Sequence, residues 1–597
     1  MTPSLTSLWL ACTCAAVTVQ SSASPDVIRP QVDGAPGASR RPPAEIPAEP
    51  AEIPTEPAEI PTENVLLLIL DDIGKDAISC YPGAAPDART PVIDGLAGRG
   101  VRFDRAWSNP ACSPTRATVL TGRFGFRTGV GSVKALAAGG LRPEEVSLAE
   151  SLHAQRPGLR TAFLGKWHLG PTEAQGPAAQ GFERFRGTSG NLREKSGANA
   201  YFAFQERTGL SVETSTREQY ATSAVVDDTL AAIGDFGEDP WLVIASFHAA
   251  HTPFHAPPPG LHDRSLKGPP RSEARAHFMA MVDALDAEIG RLLAGIPPAT
   301  LARTHVIVLS DNGTASKAQH PDRALRVGKG SLFEDGVCVP LIVAGPAVSD
   351  PGRGSSALVN TTDLHSTVHV LMGAQPGSEA VDSLSFAGSL TGHTAPARTW
   401  VFAERFQLNP PQGRWPEVDR YAISDGRFKL NVDVFGGSTR LHDLDSDPQE
   451  RVNLLSAPGL SEEAAAARIA LERTVTESLK RGAVMAARHG APGDQSGDDQ
   501  TRDHKAGDDE AKETGDRKDQ EDTGPDPCSD VLACSPLMRG PLRDSLPSGT
   551  LPSRAVRLAP RLAEETVLAG APVIAGTPVL ARTPVPAEEI FGEEVGR

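Results

Sequence analysis

The chain predicts an α/β fold with a large, mainly parallel central sheet flanked by helices, and three observations carry that reading. At Asn64 a proline-rich stretch gives way abruptly to Val65-Leu-Leu-Leu-Ile-Leu70, an uninterrupted apolar run of the kind buried on both faces of a parallel sheet. Similar runs recur at 161–164, 241–246, 305–309 and 339–344. Helix-like stretches such as 144–154 and 274–293 separate them, and this alternation is the signature of βαβ winding. In such sheets, functional groups gather beyond the carboxyl ends of the strands.

In chain order, residues 1–24 read as an export signal: an apolar run over 8–19 followed by small residues, without a Lys or Arg ahead of it. The chain is therefore expected to be exported, to a periplasmic, extracellular or envelope-attached location. Cys12 and Cys14 fall inside the run, but the residues before each fit a lipoprotein cleavage site poorly. Residues 25–63 are expected to be a linker. It ends in three copies of a seven-residue unit beginning at Pro43, Pro50 and Pro57, whose prolines block helix hydrogen bonds and favour an extended spacer. From about residue 490 the chain turns Gly-, Asp-, Lys- and Pro-rich, so 490–597 is expected to be a disordered tail. No stretch after the leader approaches the length of a membrane-spanning apolar helix.

A formal net charge of -17 argues against a nucleic-acid partner, because neutralising phosphates requires clustered Lys and Arg. The 7 cysteines are scattered and form neither a disulfide framework nor a C-x-x-C metal pattern.

Asp71 and Asp72 follow the first apolar run directly, and their mutual repulsion calls for a cation or strong donors. A turn with a helix cap is the alternative for that pair alone. The run at 305–309 ends in Ser310-Asp311-Asn312-Gly313, where a tight turn is again the alternative. Together the two ends supply four side-chain oxygens without Cys or His, a set suited to a hard cation such as Ca²⁺ or Mg²⁺ rather than zinc.

The segment Cys112-Ser113-Pro114-Thr115-Arg116, leading to Thr121-Gly122-Arg123, resembles the C-x-P-x-R modification motif of the sulfatase family, with Ala111 where a larger residue or Ser/Thr is usual. Gly165-Lys166-Trp167-His168 resembles the family's Gly-Lys-x-His element, and His251-Thr252-Pro253 and Gly328-Lys329-Gly330 resemble two further positions. His248 and His255 flank His251 and compete with it for that assignment. Residues 421–430 and 441–450 look like the family's C-terminal subdomain, so the resemblance covers about 64–480. It implies a sulfatase catalytic domain over 64–400, a smaller α+β subdomain over 401–489, and relatedness to alkaline-phosphatase-like enzymes.

The resemblance also implies a mechanism. Cys112 is oxidised by a maturation enzyme to formylglycine (3-oxoalanine), whose hydrate attacks the sulfur of a sulfated small molecule or glycan and later expels sulfate. Asp71, Asp72, Asp311, Asn312 and the modified Cys112 hold one divalent cation, Ca²⁺ in the first instance and Mg²⁺ in the second. Arg116 orients the formylglycine, Lys166 and Lys329 neutralise the sulfate, His168 helps deprotonate the hydrate, and His251 with Lys329 protonates the leaving oxygen. A histidine near its ordinary pKa suits that last role. The rival enzyme reading is a phosphodiester or phosphonate monoester hydrolase of the same superfamily. A non-catalytic binding protein on the same fold would show gaps among these polar residues, and none is found.

Overall fold

The computed structural model describes residues 64–133, 140–192, 200–321, 328–392, 398–406, 418–456 and 458–489. The expected leader, linker and tail lie outside the described residues. Fourteen strands are described: β1 (Asn64–Leu70), β2 (Gly100–Trp107), β3 (Arg160–Lys166), β4 (Arg184–Thr188), β5 (Phe204–Thr208), β6 (Ser215–Arg217), β7 (Trp241–Ser246), β8 (Thr304–Ser310), β9 (Leu341–Ala344), β10 (Arg353–Asn360), β11 (Val401–Arg405), β12 (Arg420–Ser424), β13 (Phe428–Asp433) and β14 (Ser438–Asp443). The first ten form one sheet in the order β10-β2-β9-β8-β1-β7-β3-β4-β5-β6, and the last four form an antiparallel sheet in chain order.

Strand β1 is central and wholly buried, which is why it can consist of aliphatic residues without alternation. Leu66, Leu68 and Leu70 join one core with the helices Ala221–Phe236 and Ala274–Gly295. Val65, Leu67 and Ile69 join the other with the helices Cys112–Thr121, Leu148–Gln155 and Asp363–Leu371. Truncating any of these β1 leucines to Ala would cost about 2–5 kcal/mol. A third cluster joins Phe124 and Phe126 to the second sheet and to the helix Glu462–His489 through Phe402, Ile423, Leu430 and Leu471.

The order β8-β1-β7-β3 positions the site. These four strands run parallel, with Leu70 opposite Ser310, Ile69 opposite Ser246 and Gly165 opposite Ser246. Their carboxyl ends therefore open on one edge of the sheet, and the segments after Leu70, Lys166, Ser246 and Ser310 meet there. Among the described residues, no helix is long and apolar enough to cross a membrane.

Two expectations are corrected. The apolar run at 339–344 becomes a strand only from Leu341, antiparallel to both β2 and β8, because a strand buried on both faces carries no directional mark in its sequence. The helix expected over 144–154 begins at Leu148, since Ser147 caps it: its side chain accepts from Glu150 N–H while Glu150 accepts from Ser147 N–H.

Candidate active site

Cys112 is the first residue of the helix Cys112–Thr121, which explains Pro114: a proline in the first turn forfeits no helical hydrogen bond. Thr115 Oγ1 accepts from Asn109 N–H at 3.0 Å, tying the approach loop to this turn. One turn on, Arg116 reaches across the sheet edge. Its Nε and Nη2 donate to Asp311 Oδ2 at 3.1 and 2.8 Å, and its Nη1 donates to Lys166 O at 2.8 Å and Ser246 Oγ at 2.5 Å.

Asp71 and Asp72 leave β1 fully buried, and Asp72 adopts a left-handed φ of 62°. A non-glycine residue in that region is strained and is held there by its surroundings. Here Asp72 N–H donates to Asp311 Oδ1 at 3.3 Å and Ile73 N–H to Ser310 Oγ at 3.2 Å. Asp311 N–H donates to Leu70 O at 3.0 Å and Ala250 N–H to Asp71 O at 2.7 Å, so the segments after β1, β7 and β8 brace one another.

The Cys112 thiol lies 3.6 Å from Asp71 Oδ1, and Lys166 Nζ contacts Asp71 Oδ2. Lys329 Nζ lies 2.8 Å from Asp72 Oδ1, and His251 Nε2 lies 3.9 Å from Asp72 Oδ2. Three carboxylates thus face three cationic side chains. Ligand atoms of Asp71, Asp72, Cys112 and His251 all lie within 4.8 Å of one another. Asn312 donates through Nδ2 to Asp72 Oδ1 at 2.8 Å, while its buried Oδ1 has no hydrogen-bond partner among the described residues. Buried carboxylates beside an orphaned amide oxygen form a donor set that fits a hard divalent cation.

The local field sets each charge. Burial works against ionising Asp72, but Lys329, His251 and Lys166 outweigh it and hold the carboxyl well below the usual range. Burial, then Asp311, push the Cys112 thiol up to about 12, so the unmodified side chain is protonated at neutral pH. Burial, reinforced by Lys166 and Arg116, keeps His168 neutral, and its Nδ1 has no partner among the described residues.

His251 corrects an expectation. Burial, then Lys329, lower its pKa to about 3 against the pull of Asp72, so it does not sit near the ordinary histidine value. Its Nδ1 lies 2.7 Å from Thr252 O, which places the proton of the neutral ring on Nδ1 and turns the Nε2 lone pair toward Asp72. The competition among neighbouring histidines is also resolved. His248 Nε2 bonds Thr188 Oγ1 at 2.8 Å, His255 bonds Pro253 O at 3.0 Å and Tyr220 Oη at 3.3 Å, and only His251 faces the carboxylates.

Asp71, Asp72, Cys112, Arg116, Lys166, His251, Asp311, Asn312 and Lys329 meet at this sheet edge, and His168 follows two residues after β3 with its N–H on Ser189 O. Two supporting residues were missed. Ser246 links Arg116 to Lys166 O, and Tyr201 Oη donates to His248 O at 2.5 Å and lies 2.7 Å from His251 O, fixing the His251 loop. Ser246, as the polar last residue of an apolar strand, carried a readable signal. Tyr201 carried none, because its partners are backbone atoms of a distant segment.

The Sulfatase family description matches residues 63–374, more than half of the chain. Arylsulfatase A of Bos taurus is 28% identical over 447 residues, covering 66% of this chain and 83% of the relative. N-acetylgalactosamine-6-sulfatase of Homo sapiens is 28% identical over 355 residues, covering 55% of this chain and 65% of the relative. The crystal structure of Ps i-CgsB in complex with k-i-k-neocarrahexaose shares the fold at a TM-score of 0.58 and 22% identity, over 70% of this chain and 93% of that one. The structure of BT4656 in complex with D-glucosamine-2-N,6-O-disulfate gives 0.53 and 19%, over 70% and 98%. The chain belongs to the sulfatase family and is a sulfuric ester hydrolase.

Proposed function

We propose that the protein hydrolyses a sulfate ester to an alcohol and inorganic sulfate at the cluster around Cys112, through formylglycine made from that cysteine and one bound divalent cation. The observation that carries this reading is the Cys112 side chain, fully buried 3.6 Å from Asp71, where burial pushes the thiol pKa up to about 12. A neutral thiol among three carboxylates is a poor nucleophile and a soft ligand; a hydrate oxygen in its place is a hard ligand, whose acidity a bound cation would raise. Asp71, Asp72, Asp311, Asn312 and residue 112 are the residues that would hold the cation, Ca²⁺ or Mg²⁺. When present, the cation supplies Lewis acidity and the formylglycine hydrate supplies the attacking oxygen.

The chain's own residues do the rest. Lys166 and Lys329 lie on either side of the carboxylates and supply positive charge for the sulfate oxygens, where charge grows in the transition state. Arg116, bound to Asp311, Lys166 O and Ser246 one helical turn after residue 112, orients the formylglycine. His168, kept neutral, accepts a proton from the attacking group at Nδ1. His251 and Lys329 both face Asp72 and together would protonate the leaving oxygen; Asp72 outweighs the burial of Lys329 and keeps it charged.

The relatives named for aryl sulfates and for N-acetylgalactosamine 6-sulfate favour a sulfated small molecule or sugar as substrate. We assign residues 1–24 to export, 25–63 to a linker, 64–400 to the catalytic domain and 401–489 to its subdomain, and we infer that a maturation enzyme acts on Cys112. Peptide mass spectrometry across Cys112, on protein from its native host, tests the central step alongside aryl sulfate turnover. Formylglycine in the active wild type and inactivity of Cys112→Ala are expected. A free thiol in fully active protein overturns the mechanism.

A further inference from the structure

The loop carrying Lys329 has a second face. Gly330 N–H donates to Pro110 O at 2.7 Å, two residues before Cys112, while Gly330 O accepts from Arg405 Nη1 at 2.6 Å. Arg405 ends β11 and lines a pocket of about 240 Å³ with Asp419, Arg420, Asp433 and Phe435. Arg405 thus joins this pocket to the residue that follows the lysine assigned to the sulfate.

The pocket carries a charge conflict. Arg405 stands directly opposite Arg420 in the β11–β12 register, a cross-strand pairing of like charges that costs stability. Arg420 has a compensating partner on the next strand, Asp433, at 2.9 Å. Asp433 also accepts from Gly436 N–H at 2.7 Å. Among the described residues no carboxylate hydrogen-bonds Arg405, whose guanidinium donates to the Gly330 carbonyl. Burial, then Arg420, lower its pKa, with Asp419 opposing them. Beside this pair, Phe435 is 68% exposed in the turn between β13 and β14, an apolar ring held in water at the pocket rim. An aromatic face next to donors and acceptors is the pattern of a site that stacks a sugar ring and fixes its substituents.

We propose that Arg405, Arg420 and Phe435 form a specificity subsite for an anionic sugar residue adjoining the one whose sulfate is cleaved. The inference rests on the sulfatase reading above and narrows its substrate to a glycan with a second negative charge. That charge, a sulfate or a carboxylate, would accept from Arg405 and relieve its opposition to Arg420, while Phe435 packs against the ring. Because Arg405 grips Gly330 O, occupancy of the subsite also braces the loop bearing Lys329.

The test compares steady-state kinetics of the wild type, Arg405→Ala, Arg420→Ala and Phe435→Ala on four substrates. These are an aryl sulfate and three sulfated disaccharides whose second sugar is sulfated, a uronate, or neutral. The wild type is expected to prefer an anionic neighbour, with Arg405→Ala raising KM about tenfold for it through the loss of one charge-assisted hydrogen bond, and Arg420→Ala and Phe435→Ala raising it by a smaller factor. Aryl sulfate turnover is expected to stay within about twofold in Arg420→Ala and Phe435→Ala, which do not touch the Lys329 loop, whereas Arg405→Ala also frees Gly330 O and is read only by its excess loss on the anionic disaccharide over the aryl sulfate. Which anionic disaccharide responds identifies sulfate or carboxylate as the group bound. Equal losses on aryl sulfate and disaccharide in all variants, or no change on any substrate, overturn the subsite. A wild type inert toward the aryl sulfate as well would instead overturn the hydrolase reading on which the subsite depends.

Discussion

Asn312 donates to Asp72 Oδ1 at 2.8 Å through its amide nitrogen and leaves its buried amide oxygen without a partner among the described residues. A buried acceptor left unpaired costs about 1–3 kcal/mol, and a hard cation removes that cost. Adding Ca²⁺ or Mg²⁺ to chelator-treated protein should therefore raise Tm in the wild type and far less in Asn312→Leu. Thermal melts across a cation titration measure this, and an equal response in both proteins would count against Asn312 as a ligand.

Arg116 and Asp311 form a buried pair at 2.8 Å, with Asp71 3.8 Å from the same guanidinium. Burial and Asp71 already raise the pKa of Asp311, and Arg116 opposes them. Arg116→Ala should destabilise the protein by about 3–5 kcal/mol, because it leaves a buried carboxylate uncompensated. Urea denaturation provides the readout, and Arg116→Ala with Asp311→Asn should recover part of the loss.

Gly165 has a φ of 97°, and a Cβ built on it would sit 2.0 Å from Ser246 O. This is why a glycine precedes Lys166: two strands approach too closely for any side chain. Gly165→Ala should cost more than about 1 kcal/mol and displace Lys166, lowering kcat as well as Tm. Normal kcat with reduced Tm would mean that the strain is absorbed away from Lys166.

Glu404 contributes a pH dependence remote from the cation site. Burial raises its pKa to about 8, against hydrogen bonds from Phe126 N–H and Gly125 N–H. The folded state then holds this proton more tightly than the unfolded chain, whose carboxyl titrates near 4.5. Stability from this group is full below about pH 4.5, falls as pH rises, and reaches its floor above about pH 8. Glu404→Gln should match the wild type at pH 4 and exceed it at pH 8.5 in urea melts. Parallel pH profiles for the two proteins would refute the assignment.

The apolar runs that became β1, β3, β7 and β8 were legible because doubly buried strands admit almost no polar residues. Strand β2 was not, since Arg102, Asp104 and Arg105 interrupt it and are tolerated on its partly exposed positions. The helix Cys112–Thr121 was equally silent. All ten of its residues are buried, so no polar face alternates with an apolar one.

The site divides along the same line. Residue types and local spacing are properties of the chain itself, so the polar residues after two apolar runs could be read directly, and Cys112 and Gly165-Lys166-Trp167-His168 through their resemblance to the family's motifs. Tertiary structure alone decided which of three histidines faces Asp72, that Arg116 pairs with Asp311, and that His251 lies far below its ordinary pKa. It also decided that Arg405 stands opposite Arg420 beside the Lys329 loop. These depend on through-space distance and burial between residues up to hundreds of positions apart, and electrostatic energy follows that distance and not the separation along the chain.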